Sequence, residues 1–126
     1  MQREYTNDIK MAGAELSARA ILGILKNNSQ VRSGILGLND NLEIVYRHFF
    51  SKALKSARTN SKIEEARREN ATGVIAFDVF EGNVFVSDSK LIAKLNSICE
   101  AAGLTLIDLM LFGTDDWISL RQQNRI

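Results

Sequence analysis

Between Asp8 and Lys26 the apolar residues Ile9, Ala12, Leu16, Ala20 and Ile24 recur at steps of three and four, the repeat of a helix with one apolar face. Asn7 stands where a side-chain oxygen can cap the first turn. Ile21, Leu22 and Leu25 widen the face near its end, and the polar run Asn27-Asn28-Ser29 predicts a loop. The period then shortens. Val31–Leu38 and Leu42–Phe50 read as two strands, joined by Asn39-Asp40-Asn41, residue types that tolerate left-handed backbone, so a β-hairpin is expected. In the second strand Leu42, Ile44, Tyr46, His48 and Phe50 share one face, and Glu43, Val45, Arg47 and Phe49 the other. Neither face is cleanly polar, which predicts a largely covered sheet.

Ser51–Asn70 is charged and contains alanines; a short helix or loop over Lys52–Arg58 and a helix over Ser61–Glu69 fit it. Gly73-Val74-Ile75-Ala76-Phe77 is a continuous apolar run of strand length, the mark of a central strand covered on both faces. After a turn at Glu81-Gly82-Asn83, an extended Val84-Phe85-Val86 leads to a helix with Ser87 as N-cap and Asp88 at its positive end. Leu91, Ile92, Leu95, Ile98, Cys99 and Ala102 make its apolar face, and Gly103 is the expected left-handed stop. Leu104–Phe112 and Trp117–Leu120 are the last strands, with a turn over Gly113–Asp116. Helices set between strands predict one layered α/β domain over residues 1–126, a mixed sheet flanked by helices.

Composition narrows the functional classes. A hydrophobic share of 45% and a charged share of 25% are ordinary for a folded domain. The formal net charge of +1 gives no global argument for a polyanionic partner, so any such argument has to be local. One cysteine excludes an internal disulfide, and with no signal-peptide pattern in Met1–Asp8 and no apolar run of membrane-spanning length, a cytoplasmic protein without a membrane partner is expected.

Candidates for catalysis are few. The chain has one histidine, His48, and one cysteine, Cys99, the latter on the apolar face of its helix, where it reads as a small buried hydrophobe. No nucleophile-elbow, Walker A or dinucleotide-binding motif occurs, and Gly34, Gly37 and Gly82 are too isolated to cradle a phosphate. Zinc ligands at close spacing are absent. Asp78, Glu81 and Asp88 could gather around an oxygen-preferring ion, although solvated carboxylates are the plainer reading. Asp108 interrupts an apolar strand and must face solvent, pair with a cation or accept backbone hydrogen bonds. The positive signal is charge: between Glu43 and Glu64 no acidic residue occurs, whereas Arg47, Lys52, Lys55, Arg58 and Lys62 do, near Phe49 and Phe50. Such a segment can follow a phosphate backbone and stack bases; its bland alternative is a solvated surface.

The C-terminal half resembles the RadC-like family, a branch of the JAB/MPN (JAMM) metalloprotease fold with a cytidine-deaminase-like architecture. In that family a buried strand runs into a His-x-His-Pro-Ser-Gly turn. A Ser-x-x-Asp helix start, a Gly-Ile/Leu helix end, a strand with Asp-His and a closing Gly-x-x-x-(Tyr/Trp)-(Val/Ile)-Ser-Leu-Arg follow. Here Gly73–Phe77 resembles the strand, Phe77–Gly82 the turn, Ser87/Asp88 the helix start, Gly103-Leu104 its end and Asp108-Leu109 the Asp-His pair. Gly113-Thr114-Asp115-Asp116-Trp117-Ile118-Ser119-Leu120-Arg121 resembles the last motif best, and the likeness extends loosely over Ala12–Arg121.

The departures are chemical. Phe77 and Val79 stand where the family's metal-binding histidines would be, the turn is shorter, and Arg47 and His48 lie where its catalytic glutamate is expected. The resemblance therefore implies a pseudoenzyme on the JAB scaffold, without metal, cofactor or catalytic residues, since no Zn²⁺ would activate a water. Family association with DNA repair and mobile elements, with the basic residues Arg47, Lys52, Lys55, Arg58 and Lys62, makes DNA or RNA the first expected partner. A protein-interaction module or homodimer is the second expectation, and a hydrolase using Asp78, Asp88 and His48 with a weakly held ion the third.

Overall fold

The computed structural model describes residues 2–82, 84 and 89–126, with side chains described from Gly13 onward within that set. Two units are formed, Met1–Gln30 and Val31–Ile126. The first is a helix, α1 (Gln2–Asn27), which begins before the expected Asp8 because Gln2, Arg3 and Glu4 are competent helix formers that carry no apolar period. Its C-terminal carbonyls are taken up locally: Asn27 Nδ2 donates to Gly23 O at 3.3 Å and Asn28 Nδ2 to Ile24 O at 2.9 Å.

The second unit holds strands β1 (Ser33–Leu38), β2 (Ile44–Phe50), β3 (Gly73–Val79), β4 (Thr105–Phe112) and β5 (Trp117–Ser119), with α2 (Thr59–Arg68) and α3 (Ser89–Ala101) between them. The strands form one sheet in the order β2-β1-β3-β4-β5. Only β3 and β4 run parallel, as a strand–helix–strand crossover through α3 requires; the other pairs are antiparallel, so the sheet is mixed. β3 is central and buried along its apolar run, as its composition predicts. β2, by contrast, is an edge strand with half-exposed and exposed residues, so the expected cover is incomplete there.

Alternation sorts the side chains. Ile35, Val74, Ala76, Leu106, Leu109 and Leu111 pack with Ile63 and Ala66 of α2 and Leu91, Leu95 and Cys99 of α3. In α2 the buried residues Thr59, Ile63 and Ala66 lie one or two turns apart on one stripe. The opposite sheet face carries Leu36, Ile75, Phe77, Met110 and Phe112, by the registers that pair Leu36 with Ile75 and Phe77 with Met110.

In a chain without proline, the turns use left-handed residues and, in the hairpin, a side chain. α3 stops at Gly103, whose φ of +76° allows Leu104 N–H to return to Cys99 O at 2.8 Å. α2 stops likewise at Asn70, with φ +71°. In the hairpin the left-handed residue is Leu42 (φ +63°), not one of the Asn39–Asn41 residues expected to adopt it. Asn39 is the cause: its Oδ1 accepts the N–H groups of Asn41 and Glu43, both at 3.0 Å, and this closure leaves the backward bend to Leu42. The extended segment expected at Val84–Val86 and the N-cap expected at Ser87 and Asp88 lie outside the described residues, Val84 excepted.

Candidate functional site

Eight residues, 51–58, connect β2 to α2, and the sheet holds this connector from below. Ser33 Oγ donates to the carbonyl of Lys52 at 2.5 Å, and the N–H of Leu54 donates to Asp78 Oδ1 at 3.1 Å. Leu54 opens a single 3-10 turn (Leu54–Ser56), and its side chain is fully buried. With Leu54 inside, Lys52, Lys55 and Arg58 are left exposed, and among the described residues none of the three is in an ion pair.

The other two expected basic residues are placed differently. Arg47 is exposed on β2 opposite Leu36, so it lies on the sheet face away from α2. Lys62 lies on α2 and donates to Glu65 Oε2 at 3.1 Å, while Tyr46 of β2 donates its hydroxyl to Glu65 Oε1 at 2.9 Å. This bridge ties α2 to β2. It holds the Glu65 carboxyl below its usual range, first through the Tyr46 hydrogen bond, and raises the Tyr46 phenol, mainly by burial. Lys62 is thus paired with Glu65, Arg47 lies around the strand edge, and Lys52, Lys55 and Arg58 share the connector.

The residues considered for catalysis are dispersed. Cys99 is completely buried in α3, and burial pushes its thiol up to about 11, which leaves it un-ionised and inert near neutrality. His48 packs its ring against Phe50 at 4.8 Å, and burial, with Lys62 nearby, lowers its pKa. β1 separates His48 on β2 from Asp78 on β3, and the register sets them two residues apart along the strands, so their backbones are about 12 Å apart. Among the described residues no three His, Cys, Asp or Glu side chains gather as a metal-binding group; Asp88 lies outside them.

The position resembling the family's first histidine is filled by a ring. Phe77 is fully buried, with Phe49 at 6.2 Å and Phe112 edge-on at 6.3 Å between centroids. Opposite it stands Gly34, where a Cβ would lie 2.5 Å from Phe77 Cε2, so the ring occupies the space that a side chain at position 34 would need. Val79 is half-buried at the end of β3. The following segment is pinned to the β4–β5 turn: Gly82 N–H donates to Thr114 Oγ1 at 2.9 Å and Val84 N–H to Asp116 Oδ2 at 3.4 Å.

Asp108 takes the third course open to a carboxylate in an apolar strand. It is 4% exposed and accepts hydrogen bonds from the Ser119 hydroxyl and from the Arg121 N–H, the latter at 3.0 Å. Burial raises its pKa, and those donors oppose the rise. The Ser-Leu-Arg end of the chain is therefore a structural latch onto β4.

Three residues of the site were not legible as such. Ser33 and Asp78 hold the connector across 19 and 24 residues of sequence, and no local pattern encodes such pairings. Thr59 is 1% exposed, and its hydroxyl has no hydrogen-bond partner among the described residues. Its place on the Thr59–Ile63–Ala66 stripe was the available signal for burial.

Compared with known proteins, the chain matches no protein-family model and no curated sequence. No helix among the described residues is long and apolar enough to cross a membrane. The geometry itself defines an α/β fold with a five-stranded mixed sheet and, at one end, a cationic connector anchored by buried polar side chains.

Proposed function

We propose that this chain is a RadC-like domain of JAB type without a catalytic metal site, and that it works by binding nucleic acid through the connector between β2 and α2. One observation carries the binding half: Lys52, Lys55 and Arg58 are exposed and outside any ion pair among the described residues, on a segment whose backbone the sheet holds. Cations on an ordered support keep their spacing when a phosphate backbone approaches, so less ordering entropy is lost than on a free loop. The pseudoenzyme half is supported by the buried ring of Phe77 and by a thiol and an imidazole held apart on α3 and β2.

Fluorescence titration of a labelled DNA duplex and single strand tests the binding half across a salt series. Neutralising Lys52, Lys55 and Arg58 together should weaken binding. The slope of log affinity against log salt should fall by about 0.9 for every duplex phosphate that the variant no longer neutralises. Unchanged affinity and slope would remove the connector from the site.

A second reading has its own observation. Ile44, 36% exposed, begins the open edge strand β2, and Leu42, 40% exposed, lies in the turn before it, which suits pairing with another protein or a second copy. Light scattering across a dilution series separates the two readings: a dimer that dissociates when Ile44 is changed to lysine supports the interaction module.

A further inference from the structure

Ser33 and Asp78 are opposed in the register of β1 and β3, at the end of the sheet where the connector departs. Both are buried, at 0% and 4% exposure. Their two hydrogen bonds fall on either side of Ala53, one to the Lys52 carbonyl and one from the Leu54 N–H. The clamp fixes the backbone at Lys52 and at Leu54, the residue before Lys55. An asparagine oxygen at position 78 could accept the same bond without a buried charge, so holding Leu54 does not explain a carboxylate. Burial pushes the Asp78 carboxyl up to about 6, against the pull of the Leu54 N–H and of Lys55. The negative charge therefore sits under a cationic surface at a cost to folding, which is how functional ionisable groups are commonly placed.

We propose that Ser33 and Asp78 are positioning residues for the cationic connector, and that the Asp78 charge sets how tightly the connector holds a polyanion, loosening it when ionised and tightening it when neutral. This rests on the nucleic-acid reading above. From the elements around it, Asp78 meets Ser33 of β1, Leu111 of β4 in register, and the Leu54 N–H and Lys55 of the 3-10 turn; the first turn of α2 carries no acidic residue. Arg32 and Glu81 pair with each other at 3.9 Å. Burial, with Lys62 nearby, also lowers the His48 pKa, so a substitution at fixed pH separates the two groups better than a pH profile alone.

The experiment compares wild type, Asp78→Asn and Ser33→Ala on a fluorescein-labelled DNA duplex at low salt and at a pH above the Asp78 value of about 6. Removing the negative charge beneath the cationic connector should tighten Asp78→Asn about two- to threefold, an increase that damage to the fold does not produce. Ser33→Ala should weaken binding and lower the salt slope. Hydrogen exchange at the Leu54 amide should stay slow in Asp78→Asn. Wild-type binding with no gain in Asp78→Asn overturns the charge coupling and leaves the nucleic-acid reading standing. A gain accompanied by fast exchange at Leu54, or a Ser33→Ala protein that binds as wild type does, overturns the positioning role. Absence of wild-type binding to the duplex overturns the reading itself, and the coupling with it.

Discussion

Asp78 shows how much one side chain can reveal when burial and charge conflict. Its pKa is raised from 3.8 to about 6, so the folded state binds the proton more tightly than the unfolded state. The stability tied to that proton is complete below pH 3.8 and is lost as pH rises through about 6. Asp78→Asn should therefore raise the melting temperature above pH 6, by no more than about 3 kcal/mol in stability. Near pH 3 the gain should vanish; melts of both proteins at the two ends of the range give the comparison, and an equal gain at both ends would mean that charge is not the cause. Thr59 is the simpler case. Its buried hydroxyl lacks a partner among the described residues, so Thr59→Val should be neutral or stabilising, up to about 1–3 kcal/mol by denaturant melt. Ser119→Ala should do the reverse, because it strips a donor from buried Asp108 and costs about 1–3 kcal/mol in the same measurement.

Among the elements, β3 and α3 were the most legible, since a continuous apolar run and a complete helical stripe each admit one reading. The hairpin turn was legible as a turn but not in its geometry, because the Asn39 side chain transfers the left-handed bend to Leu42. The connector could be read only by its charge. Its anchors lie on β1 and β3, and that they meet depends on the strand order β2-β1-β3, which no local period encodes. β1 and β3 also explain how the Phe77 ring is housed. Gly34 leaves room for the Phe77 ring, so Gly34→Val should destabilise by about 1–3 kcal/mol or more through overpacking, and Phe77→Leu in the same chain should restore part of it. Double-mutant denaturation measures this coupling; additive losses would show that position 34 and the ring do not compete for the same space.

At the scale of the whole chain, sequence and structure agree on an α/β fold with a mixed sheet, and the proposed function rests on the connector. A net charge of +1 conceals the basic cluster because the residues between Glu43 and Glu64 are offset by acidic residues elsewhere. Folding separates that basic run: Lys62 goes to Glu65, Arg47 to the far face of the edge strand, and Lys52, Lys55 and Arg58 stay together on the anchored segment. The most direct measurement is the salt dependence of duplex DNA binding by wild type and by the triple variant Lys52→Ala, Lys55→Ala, Arg58→Ala. A connector that grips phosphates predicts affinity that falls steeply with salt in the wild type. In the variant the slope should be shallower by about 0.9 for every phosphate left un-neutralised. Equal slopes, or no binding by the wild type at low salt, would contradict it.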